Sequence, residues 1–214
     1  MMTGPPEIEE LLRRAGDGDE GAVTELFDRY RKRLRQMIRL RLDRRLQGRV
    51  DPSDVLQDAF IDLTEQLPSY FTRPDLPFFL WLRLLAGQRL MRVHRHHLGA
   101  AMRDAGREVS LYKGALPQAS SVSLAAQLLG RFTSASQAAV RAERQLQLQS
   151  AINGMDEIDR EMIALRHFEE LSNSEIAAIL GLSKAAASNR YVRAMVRLQT
   201  ILESLPGFLD RPGE

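Results

Sequence analysis

The chain contains no cysteine. That excludes disulfides, Cys-ligated zinc and thiol catalysis together. No stretch reaches the roughly 18 consecutive apolar residues of a membrane-spanning helix. The opening residues, MMTGPPEIEELLRR, lack the apolar core of a secretory leader. A cytoplasmic protein with no membrane association is therefore expected. Strand-type alternation is nearly absent. No Gly-rich phosphate loop is present, and no serine has a credible His and Asp pairing. Lysine is scarce as well. Of 30 basic residues only Lys32, Lys113 and Lys184 are lysine, and the rest are arginine, the better side chain for phosphates and bases.

What remains is ample for a core. The 214 residues are 44% hydrophobic and 27% charged, which fits one or two folded domains and excludes a wholly disordered chain. The net charge of +2 hides a segregated pattern. Residues 7–28 carry −6, 29–49 carry +9, 51–75 carry −5, 83–107 carry +5, 156–175 carry −5 and 184–197 carry +4. A plain solvated surface mixes its signs more finely. Alternating blocks point to polyanions on some faces and basic protein on others.

Apolar residues recur at helical spacing. Val23, Leu26, Phe27, Tyr30, Leu34, Met37 and Ile38 form one stripe. Asp51-Pro52-Ser53-Asp54 reads as a helix start, with Asp51 as the N-cap and Pro52 as the first helical residue. Leu56, Ala59, Phe60, Leu63 and Leu67 carry that helix's inner face. Pro68, Pro74 and Pro77 are expected to end it in an aromatic loop holding Tyr70 and Phe71. A further helix follows from Leu76–Phe78, with Phe79, Leu82, Ala86, Leu90 and Val93 inward. Trp81 reads equally as core or as a base-stacking ring.

Residues 118–142 hold seven Ala and five Ser, so 98–144 reads as a linker. Helical periodicity then returns at Ile152, Ile158, Met162, Leu165 and Phe168. Ser172-x-x-Glu175 is a capping box. Gly181 suits a left-handed turn. Ser183 caps a basic helix with Val192, Val196 and Ile201 facing inward. A short helix, a glycine turn and a basic helix make a helix-turn-helix. In that arrangement the second helix enters the major groove. The fold class is all-α, with an N-terminal helical bundle over 7–97 and a helix-turn-helix domain over 145–204.

Chemistry-bearing clusters are few. His94, His96 and His97 lack an acid at helical spacing, so they read as a solvated helix end and no metal is expected. His167 reads as a helix surface residue. Asp54 and Asp58 share a helix face and fit a protein-binding surface better than an acid/base pair. No cofactor and no enzymatic activity are expected.

Four segments taken in order resemble one family. They are AGDGDEGAVTELFDRYRKRL, DPSDVLQDAFIDL, FFLWLRLLAGQRL and DREMIALRHFEELSNSEIAAILGLSKAAASNRYVRAMVRL. The family is the extracytoplasmic-function (ECF) group of bacterial RNA polymerase sigma factors. The resemblance spans about residues 14–97 and 145–204. It implies that Asp54, Gln57, Asp58 and Phe60 grip the clamp helices of the largest subunit of core RNA polymerase. It implies that Tyr70, Phe71, Arg83, Gln88, Arg89, Arg92 and Arg95 take the melted −10 element. It implies that Lys184, Ser188, Asn189, Val192 and Arg193 read the −35 element, with Arg190 structural. Implied partners are core polymerase, promoter DNA and an anti-sigma factor, and the free chain is expected to be monomeric. The chain departs from the family at Gly87-Gln88, Arg92 and Ala185-Ala186-Ala187. Two other readings fit the same residues: a sigma mimic that sequesters an anti-sigma factor, and a stand-alone helix-turn-helix regulator.

Overall fold

A computed structural model describes residues 6–72, 76–98, 116–132 and 138–205. Among them the regular structure is helical. In order these are α1 (Pro6–Gly16), α2 (Glu20–Arg41), a single 3-10 turn (Arg44–Leu46), α3 (Pro52–Thr72), α4 (Phe78–Leu98), α5 (Ser121–Phe132), α6 (Ala138–Asn153), α7 (Glu157–Ile163), α8 (Asn173–Leu180) and α9 (Lys184–Ser204). A π-helical segment, Ala164–Phe168, continues α7. The chain divides into two compact units, Met1–Leu116 and Pro117–Glu214.

The first unit is a bundle. Asp19 starts α2 by accepting a hydrogen bond from the Ala22 N–H at 3.0 Å. Leu26, Phe27, Leu34, Met37 and Ile38 of α2 are buried. So are Leu56, Ala59 and Leu63 of α3 and Leu82, Ala86 and Leu90 of α4. Each such large buried side chain contributes roughly 1.5–3 kcal/mol through removal from water.

Pro68 does not end α3, contrary to the expectation from sequence. The helix runs on to Thr72, and Pro68 lies on its exposed side. An interior proline costs about 3 kcal/mol. The turn beyond it buries Tyr70, whose ring lies 4.8 Å from Trp81 and 5.4 Å from Phe78. Its hydroxyl donates to the Leu76 carbonyl at 3.2 Å. Burying an aromatic ring with its hydroxyl satisfied offsets the proline. Residues 73–75 of the expected aromatic loop lie outside the described residues.

The histidine cluster also divides differently. His96 and His97 are exposed, whereas His94 is buried. Its Nε2 accepts from the Asp43 backbone N–H at 3.2 Å, which ties the end of α4 to the corner after α2. Its Nδ1 is buried without a partner among the described residues. Burial pushes the imidazole below its ordinary range, with Asp43 opposing this and Arg45 adding to it. Another close approach lies two turns inside α4. A methyl group placed on Gly87 would overlap the Leu116 side chain, whose nearest carbon would be 1.7 Å away.

In the second unit, α5 buries Leu124, Ala125, Leu128 and Leu129. Just before it, the Ala119 N–H donates to the Glu161 carboxylate at 3.0 Å. Part of the stretch 98–144 is thus ordered helix, while 99–115 and 133–137 lie outside the described residues. Ser172 and Glu175 form the reciprocal capping box of α8. Gly181 sits at φ 63°, and the Ser183 side chain accepts from Ala186 N–H to start α9. The inner face of α9 is Ala187, Ala194 and Leu198. Val192 and Val196 are instead about 60% exposed (58% and 59%). At helical spacing the valines lie on the side of α9 opposite these three residues, so they face outward. Ile158, expected on the inner stripe, is also exposed.

The buried His94 sets a pH dependence. An unfolded histidine titrates near about 6.5, and the folded one titrates lower. Between those values the unfolded chain binds more protons, so stability is full above about pH 6.5 and is lost as pH falls. The Asp43 carboxyl, held at about 2 chiefly by the Arg45 guanidinium, titrates outside that window. Denaturation midpoints should therefore fall between about pH 7.5 and 5.5. His94→Gln keeps an acceptor for Asp43 N–H and should flatten that loss. An equal fall in both proteins would exclude His94 as the cause.

Candidate functional site

Two surfaces carry the chemistry-bearing residues, one in each unit. On the first unit, Asp54 and Gln57 of α3 are exposed and Asp58 is half-exposed. Ile61, 49% exposed, lies one turn beyond Gln57 and Asp58 on the same strip. Acidic groups around an exposed apolar side chain have a composition that suits a protein partner. Ile61 is not among the residues expected on this face from sequence, and its signal is its place off the stripe of Leu56, Ala59, Leu63 and Leu67. Phe60 faces partly inward, with its ring 5.0 Å from Phe27.

The residues expected at the −10 element separate into three groups. Tyr70 and Arg83 are buried, so neither presents a free face here. Burial also raises the Tyr70 hydroxyl above its ordinary range, with Tyr30 adding to the shift. Phe71 is half-buried, with its ring under Gly16. A second group is held by Asp62 of α3, whose side chain is only 6% exposed. Arg89 donates to it through Nε at 3.0 Å and Nη2 at 2.7 Å. Arg92 reaches the same carboxylate at 3.3 Å. Asp62 leads the interactions that raise the Arg89 guanidinium above its usual range. A two-pronged guanidinium–carboxylate contact is the strongest arrangement of this kind. Arg89 is therefore committed inside the protein, while Arg92 is bound by one longer contact and stays 44% exposed. The third group is Gln88, half-buried, and Arg95, exposed and without an ion pair among the described residues. Sequence reading missed Asp62 because its partners lie 27 and 30 residues away.

The helix-turn-helix repeats this logic. Asp159 of α7 is buried. Arg190 of α9 donates to it at 2.9 Å and Arg197 approaches at 3.5 Å. Asp156 lies 3.5 and 3.6 Å from the same two guanidinium groups. Between them in sequence, Arg193 is exposed with no ion pair among the described residues, as is Lys184. Asn189 is exposed, and Ser188 is half-buried and accepts from Asn173 Nδ2 at 3.0 Å. Val192 adds an apolar surface beside Arg193. The outward set of α9 can thus offer charge, amide and methyl groups to a groove. His167 is not a plain surface residue. Its Nε2 lies 3.1 Å from the Tyr191 hydroxyl. Among the described residues no group of acids and histidines is arranged to hold a metal ion. No described helix is long and apolar enough to cross a membrane.

Residues 145–198 match the family model described as sigma-70, region 4. The whole chain is 27% identical to the RNA polymerase sigma factor NccH of Alcaligenes xylosoxydans xylosoxydans, over 95% of this chain and 98% of that protein. It is 25% identical to the RNA polymerase sigma factor CnrH of Cupriavidus metallidurans, over 94% and 97%. A solved structure of CnrH in complex with the cytosolic domain of CnrY has a similar fold. Its TM-score is 0.52 at 24% identity, covering 90% of this chain and 95% of that one.

Asp62→Ala removes the shared acceptor of both arginines and leaves Arg89 only the longer contact to Asp58 at 3.6 Å. Breaking such a largely buried pair costs about 3 kcal/mol, less where solvent reaches the guanidinium. The variant should lose about 2 kcal/mol in chemical denaturation. A change under about 0.5 kcal/mol would show that water replaces the carboxylate at no cost.

Proposed function

We infer that this chain, which belongs to the sigma-70-type RNA polymerase sigma factors with the ECF arrangement, docks on core polymerase and directs it to promoters. The observation that carries the reading is the helix-turn-helix inside the region 4 match. Its second helix keeps Lys184 and Arg193 unpaired among the described residues while Arg190 and Arg197 are tied to α7. Free cations on a groove-sized helix suit phosphate and guanine contacts. Similarity to named sigma factors over nearly the full length supports the same role for the first unit.

The chain acts by binding energy, and the polymerase performs the chemistry. The acidic strip Asp54, Gln57, Asp58 and Ile61 meets the basic clamp helices of the largest subunit, with Phe60 beneath it. The second unit holds duplex −35 DNA through Lys184, Ser188, Asn189, Val192 and Arg193. The first unit captures the separated −10 strand with Gln88, Arg92 and Arg95. Arg89, Arg83 and Tyr70 support that surface from within, and Phe71 flanks it. Charge on the strand and the available cations of α4 supply affinity that falls with salt. A protein that holds the factor inactive is a further partner, in keeping with the complex in which CnrH was solved. The working place is the cytoplasm, as a monomer when free.

The decisive experiment is transcription of fragmented genomic DNA by bacterial core polymerase with and without the chain, reading transcript 5′ ends. New start sites behind a shared two-part element are expected. None, from a folded chain with a competent core, would exclude the reading. Asp58→Arg should cut core affinity by about tenfold or more with folding intact, measured by fluorescence titration. Unchanged affinity would remove α3 from the interface. Arg193→Ala should weaken binding of a −35 duplex by the assembled holoenzyme by about 1–3 kcal/mol. Equal affinity would take Arg193 out of recognition.

A further inference from the structure

The most basic stretch of the chain, 29–49, has no role in the proposed function. Part of its charge is used within the fold. Arg29 pairs with Glu7 and Glu25, and Arg31 with Asp28. The Arg33 guanidinium lies 3.6 Å from the centre of the Phe79 ring. Arg41 is buried, and Arg45 is paired with Asp43. Five cations remain: Lys32, Arg35, Arg39, Arg44 and Arg49. All are exposed, and none makes an ion pair within the described residues. Asp51 influences Arg35 and Arg39 only at longer range, its own oxygen being taken by the Ser53 N–H.

These five do not stand alone. The bond from Asp43 N–H to His94 Nε2 joins segments 51 residues apart in sequence. It fixes the corner carrying Arg44 and Arg49 to the last turns of α4, where exposed Arg95 follows His94. Arg92 lies on the side of α4 that meets Asp62 of α3.

We propose that this α2-corner surface binds the sugar-phosphate backbone of duplex DNA, without reading sequence, as an extension of the α4 surface. Lys32, Arg35 and Arg39 share one face of α2 and span about 10 Å of helix. That matches about three phosphates along one strand, at roughly 3.4 Å of axis each. An acidic protein partner fits less well. Protein interfaces have an apolar centre. The exposed large apolar side chain of the described first unit is Ile61 on α3, and α2 offers none. The proposal rests on the promoter-binding reading only for which DNA is bound.

The test uses the full chain assembled with core polymerase and a duplex promoter fragment taken from a mapped start site. Neutralising the corner with Arg44→Gln and Arg49→Gln, and separately the helix face with Lys32→Gln, Arg35→Gln and Arg39→Gln, removes charges that have no ion-pair partner among the described residues. Each set should weaken DNA binding. Each should also lower the slope of log affinity against log salt by about one for every phosphate no longer neutralised, roughly two for the corner pair. Arg13→Gln is the control, since Arg13 is exposed yet paired with Glu10 and Asp17, and should leave the slope unchanged. A native slope in both sets overturns the proposal. So does a fall in core affinity at unchanged slope, which would make the face a protein-binding one. If the native assembly initiates nowhere, the transcription reading fails. The same slope comparison with the full chain alone on a random duplex then decides the phosphate surface separately.

Discussion

In each unit a buried carboxylate on one helix holds two arginines from a neighbour. Asp62 of α3 holds Arg89 and Arg92 of α4. Asp159 of α7 holds Arg190 and Arg197 of α9. A carboxylate so placed is costly to bury alone, and the guanidinium groups that remove the cost also lock the two helices in register. The same contacts sort the arginines. A guanidinium gripped by two bonds cannot turn to a phosphate, whereas one held loosely or not at all can. Which guanidinium groups each unit leaves at its surface is therefore set from inside the protein.

This sorting explains why the exposed faces can be basic without the bundle being unstable. Clusters of like charge on adjacent turns repel, and exposed pairs return little stability. Here the cations nearest the helix contacts are neutralised, and those at the rim are left to solvent and partners. The acidic strip of α3 is the converse. Asp62 points in and is consumed by the fold, while Asp54 and Asp58, off the buried face, remain outside. One helix thus places its carboxylates differently: Asp62 is enclosed by the arginines of α4, Asp58 is half-exposed at 3.6 Å from Arg89, and Asp54 faces solvent.

Most of the fold was legible from residue spacing. The stripes of α2, α3 and α4, the capping box at Ser172, the left-handed Gly181 and the Ser183 cap are local devices, fixed by neighbours within a few residues. What escaped was non-local. Pro68 alone predicts a loop at Tyr70, yet burial beside Trp81 carries the helix past the proline. Apolar character alone points Val192 and Val196 inward, but Ala187, Ala194 and Leu198 form the packed face and the valines lie on the other side of α9. His94 was grouped with its neighbours in sequence, although its partner is the backbone of Asp43. Arg89 and Arg92 looked equivalent until Asp62, a distant acid with no special local signature, separated them.

The close approach at Gly87 carries a constraint of another kind. A methyl group there would meet the side chain of Leu116 and not its backbone. A larger residue at position 87 therefore requires the Leu116 side chain to turn aside or a smaller one to take its place. The two positions fill one small volume between them, so the size allowed at either depends on what occupies the other.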